Sequence, residues 1–214
     1  MTQFLTSQYT PTEGVNVNIA DGDTVIALDY QGSMTNHTSS LWWGTAVGYR
    51  AMQMAAKALS DKYLWRREGL CMVSGHPGPG VLDSLNYVTG CGDNNTCTVM
   101  ENANCKGRCN SEMTFEWWVC DGEKTAHIAL REDFVPVEFY ELIDRRVYHE
   151  NTAEDDRIFE LFKVNLSTRL WVAALEDNFS VDYQDPLTVG ELPSNHSWNI
   201  VEEESKAAVA NQQP

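Results

Sequence analysis

The residues best suited to chemistry lie around one turn rich in glycine and proline, Ser74-Gly-His-Pro-Gly-Pro-Gly80. His76 lies in this turn, Asp83 follows it, and Cys91 comes after the sequence Tyr87-Val-Thr-Gly90. Imidazole, carboxylate and thiolate are the usual ligands of zinc and similar borderline-soft metal ions. A turn that leads into a helix also offers unpaired backbone N–H groups. The sequence therefore predicts a metal or small-ligand site at this turn.

The elements on either side of the turn would position these residues. The apolar run Gly69–Val73 predicts a short buried strand before the turn, and a helix is predicted from about Val81 to Val88. Small anions and metal ions are often held where a strand, a glycine turn and a helix follow one another. The chain lacks the Lys-Ser/Thr pair of a Walker sequence and the spacing G-x-G-x-x-G, so nucleotide binding is not predicted.

A second segment with distinctive glycines lies about thirty residues earlier. The pattern from Leu41 to about Tyr63 predicts a helix, preceded by a strand over Thr24–Asp29 and a polar loop. Gly44 and Gly48 are four residues apart, so they form a smooth notch on this helix that admits another backbone. Packing within one chain and the seam of a homodimer both explain such a notch.

A β-hairpin is predicted further along the chain. The segments Met113–Cys120 and Thr125–Arg131 are rich in aromatic and β-branched residues. They are joined by Asp121-Gly-Glu-Lys, which is a hairpin turn signal.

Helices are predicted after the hairpin. One covers Val137–Tyr148, and Thr152 caps a second, which we expect to break around Val164–Leu166. These elements predict an α+β fold, with an antiparallel sheet and hairpin packed against helices and a helical C-terminal region. The predicted boundaries are an irregular N-terminal arm over residues 1–24, the domain over 25–177, and a loosely packed, partly disordered tail over 178–214.

Composition narrows the classes of partner and the cellular location. The 214 residues include 31 acidic and 15 basic side chains, for a formal net charge of −16. Nucleic acids and anionic membranes need clustered Lys and Arg, so neither is an expected partner. The sequence has no stretch of the roughly 20 apolar residues needed to span a bilayer. Met1–Gln8 lacks the basic and apolar regions of a signal peptide, so a cytoplasmic location is expected.

The six cysteines leave the redox compartment open. They lie at positions 71, 91, 97, 105, 109 and 120, four of them within a polar loop over residues 91–110. An even number of cysteines is compatible with disulfides in an oxidising space such as the periplasm. It is equally compatible with a metal-bound loop or with free thiols in the cytoplasm.

Two motifs resemble the E-subunit family of formylmethanofuran dehydrogenase. Gly44-x3-Gly48-Tyr-Arg50 is similar to that family's helix "C-P-G-x3-G-x-R", and Leu82-Asp-Ser-Leu-Asn-Tyr-Val-Thr-Gly-Cys91 is similar to its helix "V-D-A-I-Q-x-x-T-G-C". A hairpin strand like Met113–Val119 follows in the family, so the resemblance covers about residues 35–175. It implies an α+β domain that forms dimers, binds a divalent metal taken to be zinc, and is associated with a molybdenum or tungsten enzyme of C1 metabolism.

The chain departs from this family at the metal ligands. The family's histidine and cysteine before the first motif fall on Ser40 and Trp42, and the cysteine ahead of its aspartate falls near Gly80. Among those thiols only Cys91 stays in place. The ligand set implied by the resemblance is therefore incomplete in this chain.

A substitute ligand set is His37, His76 and Cys91. Two imidazoles and one thiolate would leave a coordination position for water, as in catalytic zinc sites. Asp83 would orient a ligand histidine or act as a base, and Arg50 would pair with a carboxylate or phosphate of a substrate. Together with these two side chains, the backbone at Gly78 and Gly80 would form the cofactor-binding pocket.

Three functions are compatible with these residues. The favoured one is a zinc-binding domain that acts as a small-molecule or cofactor-binding accessory module, linked to C1 or molybdenum and tungsten enzymes. The first alternative is a metal-dependent enzyme that uses activated water. The second is a metal-free interaction scaffold in which the cysteines only brace the fold.

Overall fold

A computed structural model of the chain describes residues 16–35, 42–60, 64–100 and 109–194. These residues form an α+β fold of strands and helices in the following order: β1 (Val17–Asp21), β2 (Thr24–Leu28), α1 (Tyr30–Thr35), α2 (Trp42–Leu59), β3 (Leu64–Arg66), β4 (Cys71–Ser74), α3 (Pro79–Thr89), β5 (Cys97–Val99), β6 (Glu116–Cys120), β7 (Thr125–Leu130), α4 (Val137–Val147), α5 (Ala153–Val172), α6 (Leu175–Asn178) and β8 (Phe179–Gln184). Among the described helices, none is long and apolar enough to cross a membrane.

The larger sheet is built around the predicted hairpin. Its five strands lie in the order β5-β4-β6-β7-β8, and every neighbouring pair is antiparallel except β4 with β5. The turn between β6 and β7 is fixed by Asp121, whose side chain accepts the N–H groups of Glu123 and Lys124 at 2.9 and 3.0 Å. Gly122 between them has a positive φ of 90°, which glycine adopts without strain. The hairpin prediction is confirmed.

The smaller sheet places part of the N-terminal region inside the fold. Its strand order is β2-β1-β3, so β1 is the central strand. Val17 and Ile19 of β1 are fully buried. The predicted irregular arm over residues 1–24 is therefore wrong for 17–21 and for Thr24, which begins β2. Val15, Val17 and Ile19 alternate with Asn16 and Asn18, which is a strand pattern that the prediction missed.

Helix α2 lies at the centre of the molecule. It is buried on nearly all sides from Trp42 to Ala56 and contacts α3, α5 and β7. A Cβ atom on Gly44 would lie 3.2 Å from the backbone N of Val81, and one on Gly48 would lie 2.9 Å from the backbone O of Val81. The glycine notch is therefore filled by α3 of the same chain, and its surface is not open to a second copy. Dimerisation itself stays a prediction.

Helix α5 differs from its prediction at its centre. Its N-terminus is the predicted one, because the Thr152 and Asp155 side chains form a reciprocal capping box. The predicted break around 164–166 is wrong, since α5 runs for 20 residues from Ala153 to Val172. The segment contains no glycine or proline that would end a helix, and Leu166 is buried.

The chain after α6 returns to the larger sheet. Strand β8 pairs along its length with β7, from Phe179 opposite Leu130 to Gln184 opposite Thr125. Phe179 is 1% exposed and belongs to the main core. The predicted domain end at 177 and loose tail from 178 are therefore wrong for 178–184, because this edge strand completes the sheet.

Candidate ligand-binding site

A cavity of about 300 Å³ lies between the glycine- and proline-rich turn and the C-terminal helices. The first turns of α2 and α3 form one side of it, and α4 and α5 form the other. Its volume is at the lower end of the range for small-molecule sites. The lining residues come from five segments: Trp43, Gly44, His76, Gly78, Pro79, Gly80, Val81, Cys109, Met113, Phe139, Ile143, Arg146, Val147, Phe159 and Lys163.

The turn is shaped by small residues and by its own hydrogen bonds. Ser74 ends β4, and its hydroxyl donates to the carbonyl of His76 at 3.0 Å. A Cβ on Gly75 would lie 2.1 Å from Thr114 Oγ1, so a larger residue would displace the segment that contains Thr114. Pro79 occupies the first turn of α3, where its missing N–H costs no helical hydrogen bond.

His76 is held in one orientation by this turn. Its ring packs on Phe115 with centroids 4.6 Å apart, and Nδ1 accepts the backbone N–H of Gly78 at 3.0 Å. The side chain is 4% exposed, and this burial lowers its pKa from about 6.5 to about 3. The ring is therefore neutral at physiological pH, and the bond to Nδ1 assigns the proton to Nε2. Nε2–H has no acceptor among the described residues, and His76 lines the cavity.

The N-terminus of α3 supplies a second hydrogen-bond donor. Gly78 at the N-cap has no side chain to accept an N–H, and its carbonyl accepts from Val81 and Leu82 at 3.0 Å each. Pro79 has no N–H. The N–H of Gly80 therefore has no acceptor within the part of the chain that the structure describes. Gly80 lines the same cavity as His76.

Two cations come from the opposite wall. Lys163 of α5 is 6% exposed, and its Nζ lies 2.8 Å from Glu160 Oε1 and 5.5 Å from the centroid of the Trp42 ring. Arg146 of α4 is ion-paired with Asp156, and its guanidinium lies 4.8 Å above the Phe159 ring. Among the described lining residues, none is acidic.

The structure does not bring the predicted metal ligands together. His76 precedes α3 and Cys91 follows it, and at 1.5 Å per residue the 11 residues of this helix separate its ends by about 16 Å. His37 lies outside the described residues. Within those residues, no group of three His, Cys, Asp or Glu side chains could hold a metal ion. The predicted zinc centre is therefore not assembled from His76 and Cys91.

Cys91 instead belongs to a group of buried and partly buried thiols at the other end of α3. Its Sγ lies 3.6 Å from the carbonyl of Leu70, and burial raises the pKa of its thiol. Cys71 and Cys120 lie opposite each other on β4 and β6, and burial raises the pKa of Cys71 to about 12. Burial likewise raises the pKa of Cys97 to about 11. Cys71, Cys91, Cys97 and Cys120 form no disulfide. The raised pKa values of Cys71, Cys91 and Cys97 mean that these three thiols are protonated at neutral pH.

Arg50 and Asp83 lie away from the cavity. Arg50 is buried on α2, where it donates to Gln53 Oε1 at 2.9 Å and to the carbonyl of Ala173 at 3.2 Å. It therefore ties α2 to the end of α5. Asp83 lines a different cavity, together with Arg67 and Tyr87 among others. Of the predicted cofactor-binding residues, the structure places Gly78 and Gly80 with His76, and it places Arg50 and Asp83 elsewhere.

Several lining residues were not predicted from the sequence. Cys109 is one of them: its Sγ would lie 3.0 Å from a Cβ on Gly78, and Cε1 of His76 would lie 2.5 Å from the same Cβ. Lys163 is another, and here the sequence held a signal, because this lysine interrupts the apolar residues Phe162 and Val164. Phe139 carried no such signal, since its place on the amphipathic helix α4 fits an ordinary core position.

The chain matches no protein-family model, and no curated protein is similar to it at a significant level.

Proposed function

We propose that this protein is a small-molecule-binding domain whose ligand occupies the cavity between the His76 turn and helices α4 and α5. The observation that supports the proposal is the combination of mostly apolar walls with two hydrogen-bond donors of buried lining residues, His76 Nε2–H and Gly80 N–H, which have no acceptor among the described residues. Ligand sites typically combine apolar walls with a few polar groups that fix the orientation of the ligand.

The state of His76 favours binding over acid–base catalysis. A general base at neutral pH needs a pKa near 7 and an unprotonated nitrogen that faces the substrate. His76 has a pKa of about 3, and its unprotonated nitrogen, Nδ1, is already bonded to Gly78 N–H. The imidazole therefore offers the cavity a fixed donor.

The zinc centre was predicted from the residues around the turn and from the family resemblance, and the link to C1 metabolism from the resemblance alone. Both stay predictions. Use of His76 as a ligand through Nε2 would require its proton to move to Nδ1 and the Gly78 hydrogen bond to break. Elemental analysis of protein purified without added metal or chelator tests the prediction. About one zinc per chain, lost in His76→Ala, would place a metal at the turn.

The proposal is tested by screening a library of small aromatic and aliphatic compounds by ligand-observed NMR. We expect several compounds to bind the wild-type protein and to lose binding in Val147→Trp, because Val147 lines the cavity and an indole would fill it. Tyr148→Trp is the matched control, since Tyr148 is the next residue and is 70% exposed. The absence of any compound that distinguishes the two variants would contradict the proposal.

A further inference from the structure

We infer that the cavity selects a monocarboxylate with a compact apolar body, whose carboxylate is bound by His76 Nε2–H and Gly80 N–H. This inference rests on the proposed function and adds the chemical class of the ligand. It combines three independent features of the site: two donors without acceptors, the sign of the surrounding charges, and the shape of the remaining wall.

The two donors match a carboxylate in number and type. A carboxylate only accepts hydrogen bonds, and its two oxygens can each take one donor. His76 and Gly80 each supply one donor, and neither has an acceptor among the described residues. The hydrogen bond from Gly78 N–H to Nδ1 fixes the His76 ring before a ligand binds. The donors are therefore preorganised, and the side chain does not have to reorient on binding.

The charges around the donors favour an anion. The N-terminus of α3 carries a partial positive charge from the helix dipole, and a helix of 11 residues is long enough for this effect. Lys163 adds a buried ammonium on the facing wall and Arg146 adds a guanidinium, each ion-paired with a carboxylate that does not line the cavity, Glu160 and Asp156. This cavity, whose described lining holds cations and no acidic residue, belongs to a chain with a net charge of −16. The cations of these two ion pairs and the N-terminus of α3 line the cavity while the paired carboxylates do not, and this arrangement favours an anion over a cation as the ligand.

The remaining wall suits an apolar body. Trp43, Phe139 and Phe159 present aromatic surfaces, and Ile143 and Val147 fill the space between them. A volume of about 300 Å³ admits a single ring or a short branched chain.

The inference is tested with benzoate and benzyl alcohol as probes, using isothermal titration calorimetry. Both have one ring, but only benzoate carries the charge. We expect benzoate to bind the wild-type protein at least tenfold more tightly than benzyl alcohol, because hydrogen bonds to a charged group are stronger than those to a neutral one.

Variants locate the binding within the cavity. His76→Asn keeps an acceptor for Gly78 N–H, since an asparagine side chain forms the same contact two residues along, but it removes Nε2–H. We expect it to weaken benzoate binding about tenfold. Lys163→Met should weaken benzoate binding severalfold while its chain still packs on Trp42. The matched control Arg157→Met removes an exposed charge from the same helix and should leave the affinity unchanged.

The outcomes separate the inference from the proposed function. Equal binding of benzyl alcohol and benzoate to the wild-type protein would overturn the carboxylate inference and leave the small-molecule cavity intact. Tight benzoate binding that is indifferent to both His76→Asn and Lys163→Met would also overturn it, because the anion would then lie elsewhere. If no compound of the wider NMR library bound in the cavity, both the inference and the proposed function would fail.

Discussion

The two ends of helix α3 differ in capping: surrounding residues accept or donate hydrogen bonds at its C-terminus, whereas its N-terminus has no side-chain cap. At the C-terminal end, Gly90 adopts a left-handed conformation with φ 71°, and its N–H donates to the carbonyl of Asn86 at 2.7 Å. The guanidinium of Arg67 donates to the carbonyls of Tyr87 and Val88 at 2.6 and 3.3 Å. At the N-terminal end there is no side-chain cap, and Gly80 N–H lacks an acceptor among the described residues.

This difference shows which end carries stability and which end is available for a ligand. A native helix end without capping partners is unusual, because orphan groups that are buried destabilise the fold. Here Gly80, whose N–H has no acceptor among the described residues, lines a cavity in which a ligand can accept this hydrogen bond. The capped C-terminal end, here called the closed end, places Cys91 in the core. The uncapped N-terminal end, here called the open end, places His76 at the cavity. Predictions about the two ends should therefore separate into effects on folding and effects on binding.

The largest effect on folding is expected from Arg67→Met. This change removes the donors to two helix carbonyls and the ion pair with Asp21 at 3.2 Å. We expect a loss of about 3 kcal/mol in the free energy of unfolding, measured by urea denaturation, because hydrogen bonds to charged groups are worth about 1.5–3 kcal/mol. Benzoate affinity should be unchanged. Arg66→Met, at an exposed neighbouring position, is the control. Equal stabilities of the two variants would contradict a stabilising role of Arg67 at the C-terminal end of α3.

A smaller loss of stability is expected from Thr89→Val at the same end. The Thr89 hydroxyl donates to the carbonyl of Leu85 at 2.7 Å and accepts the N–H of Cys91 at 3.1 Å. Valine has nearly the same shape but leaves a buried N–H without a partner, so we expect a loss of about 2 kcal/mol in urea denaturation. Thr89→Ser keeps the hydroxyl and should lose clearly less. A serine variant as unstable as the valine variant would show that packing, and not the hydrogen bond, matters at this position.

At the open end, His76 should affect the pH dependence of folding. In the folded state its pKa is about 3, whereas in the unfolded state it is near 6.5. The unfolded state therefore takes up a proton first, and the stability from this group is complete above pH 6.5 and falls as the pH drops towards 3. Between pH 7.5 and 5.5 the wild type should lose about 1.4 kcal/mol relative to His76→Asn. Parallel stability curves for the two proteins would contradict the burial of a neutral imidazole.

The smallest change is expected in the pH dependence of binding. Because His76 is already neutral and Nε2 is already protonated, benzoate affinity should vary less than twofold between pH 5.5 and 8 by calorimetry. Benzoate keeps its charge over this range, since carboxyl groups have pKa values near 4. A tenfold increase in affinity as the pH falls below 6.5 would mean that the imidazolium form binds the anion, and the fixed neutral donor would be wrong.

The sequence predicted the elements that depend on local signals, but not the cavity wall that depends on tertiary packing. The turn at His76, the helix after it and the hairpin followed from local signals, because glycine, proline and alternation act within a few residues. The wall formed by Phe139 and Lys163 did not, because these residues lie about 60 and 90 positions after the turn and meet it only through tertiary packing. The pairing of His76 with Cys91 as metal ligands failed for a different, local reason. Their spacing in sequence places a whole helix between them.

The most direct test of the account follows individual glycine amides while benzoate is added. In protein labelled with ¹⁵N-glycine, the 14 glycines give a small set of amide signals that can be assigned by substitution. We predict that the Gly80 amide shifts strongly on saturation with benzoate, since it donates to the carboxylate, while the Gly90 amide at the capped end of α3 does not move. Saturable benzoate binding that leaves the Gly80 signal in place, or that shifts Gly90 more than Gly80, would contradict the central claim that the open end of α3 is the ligand site.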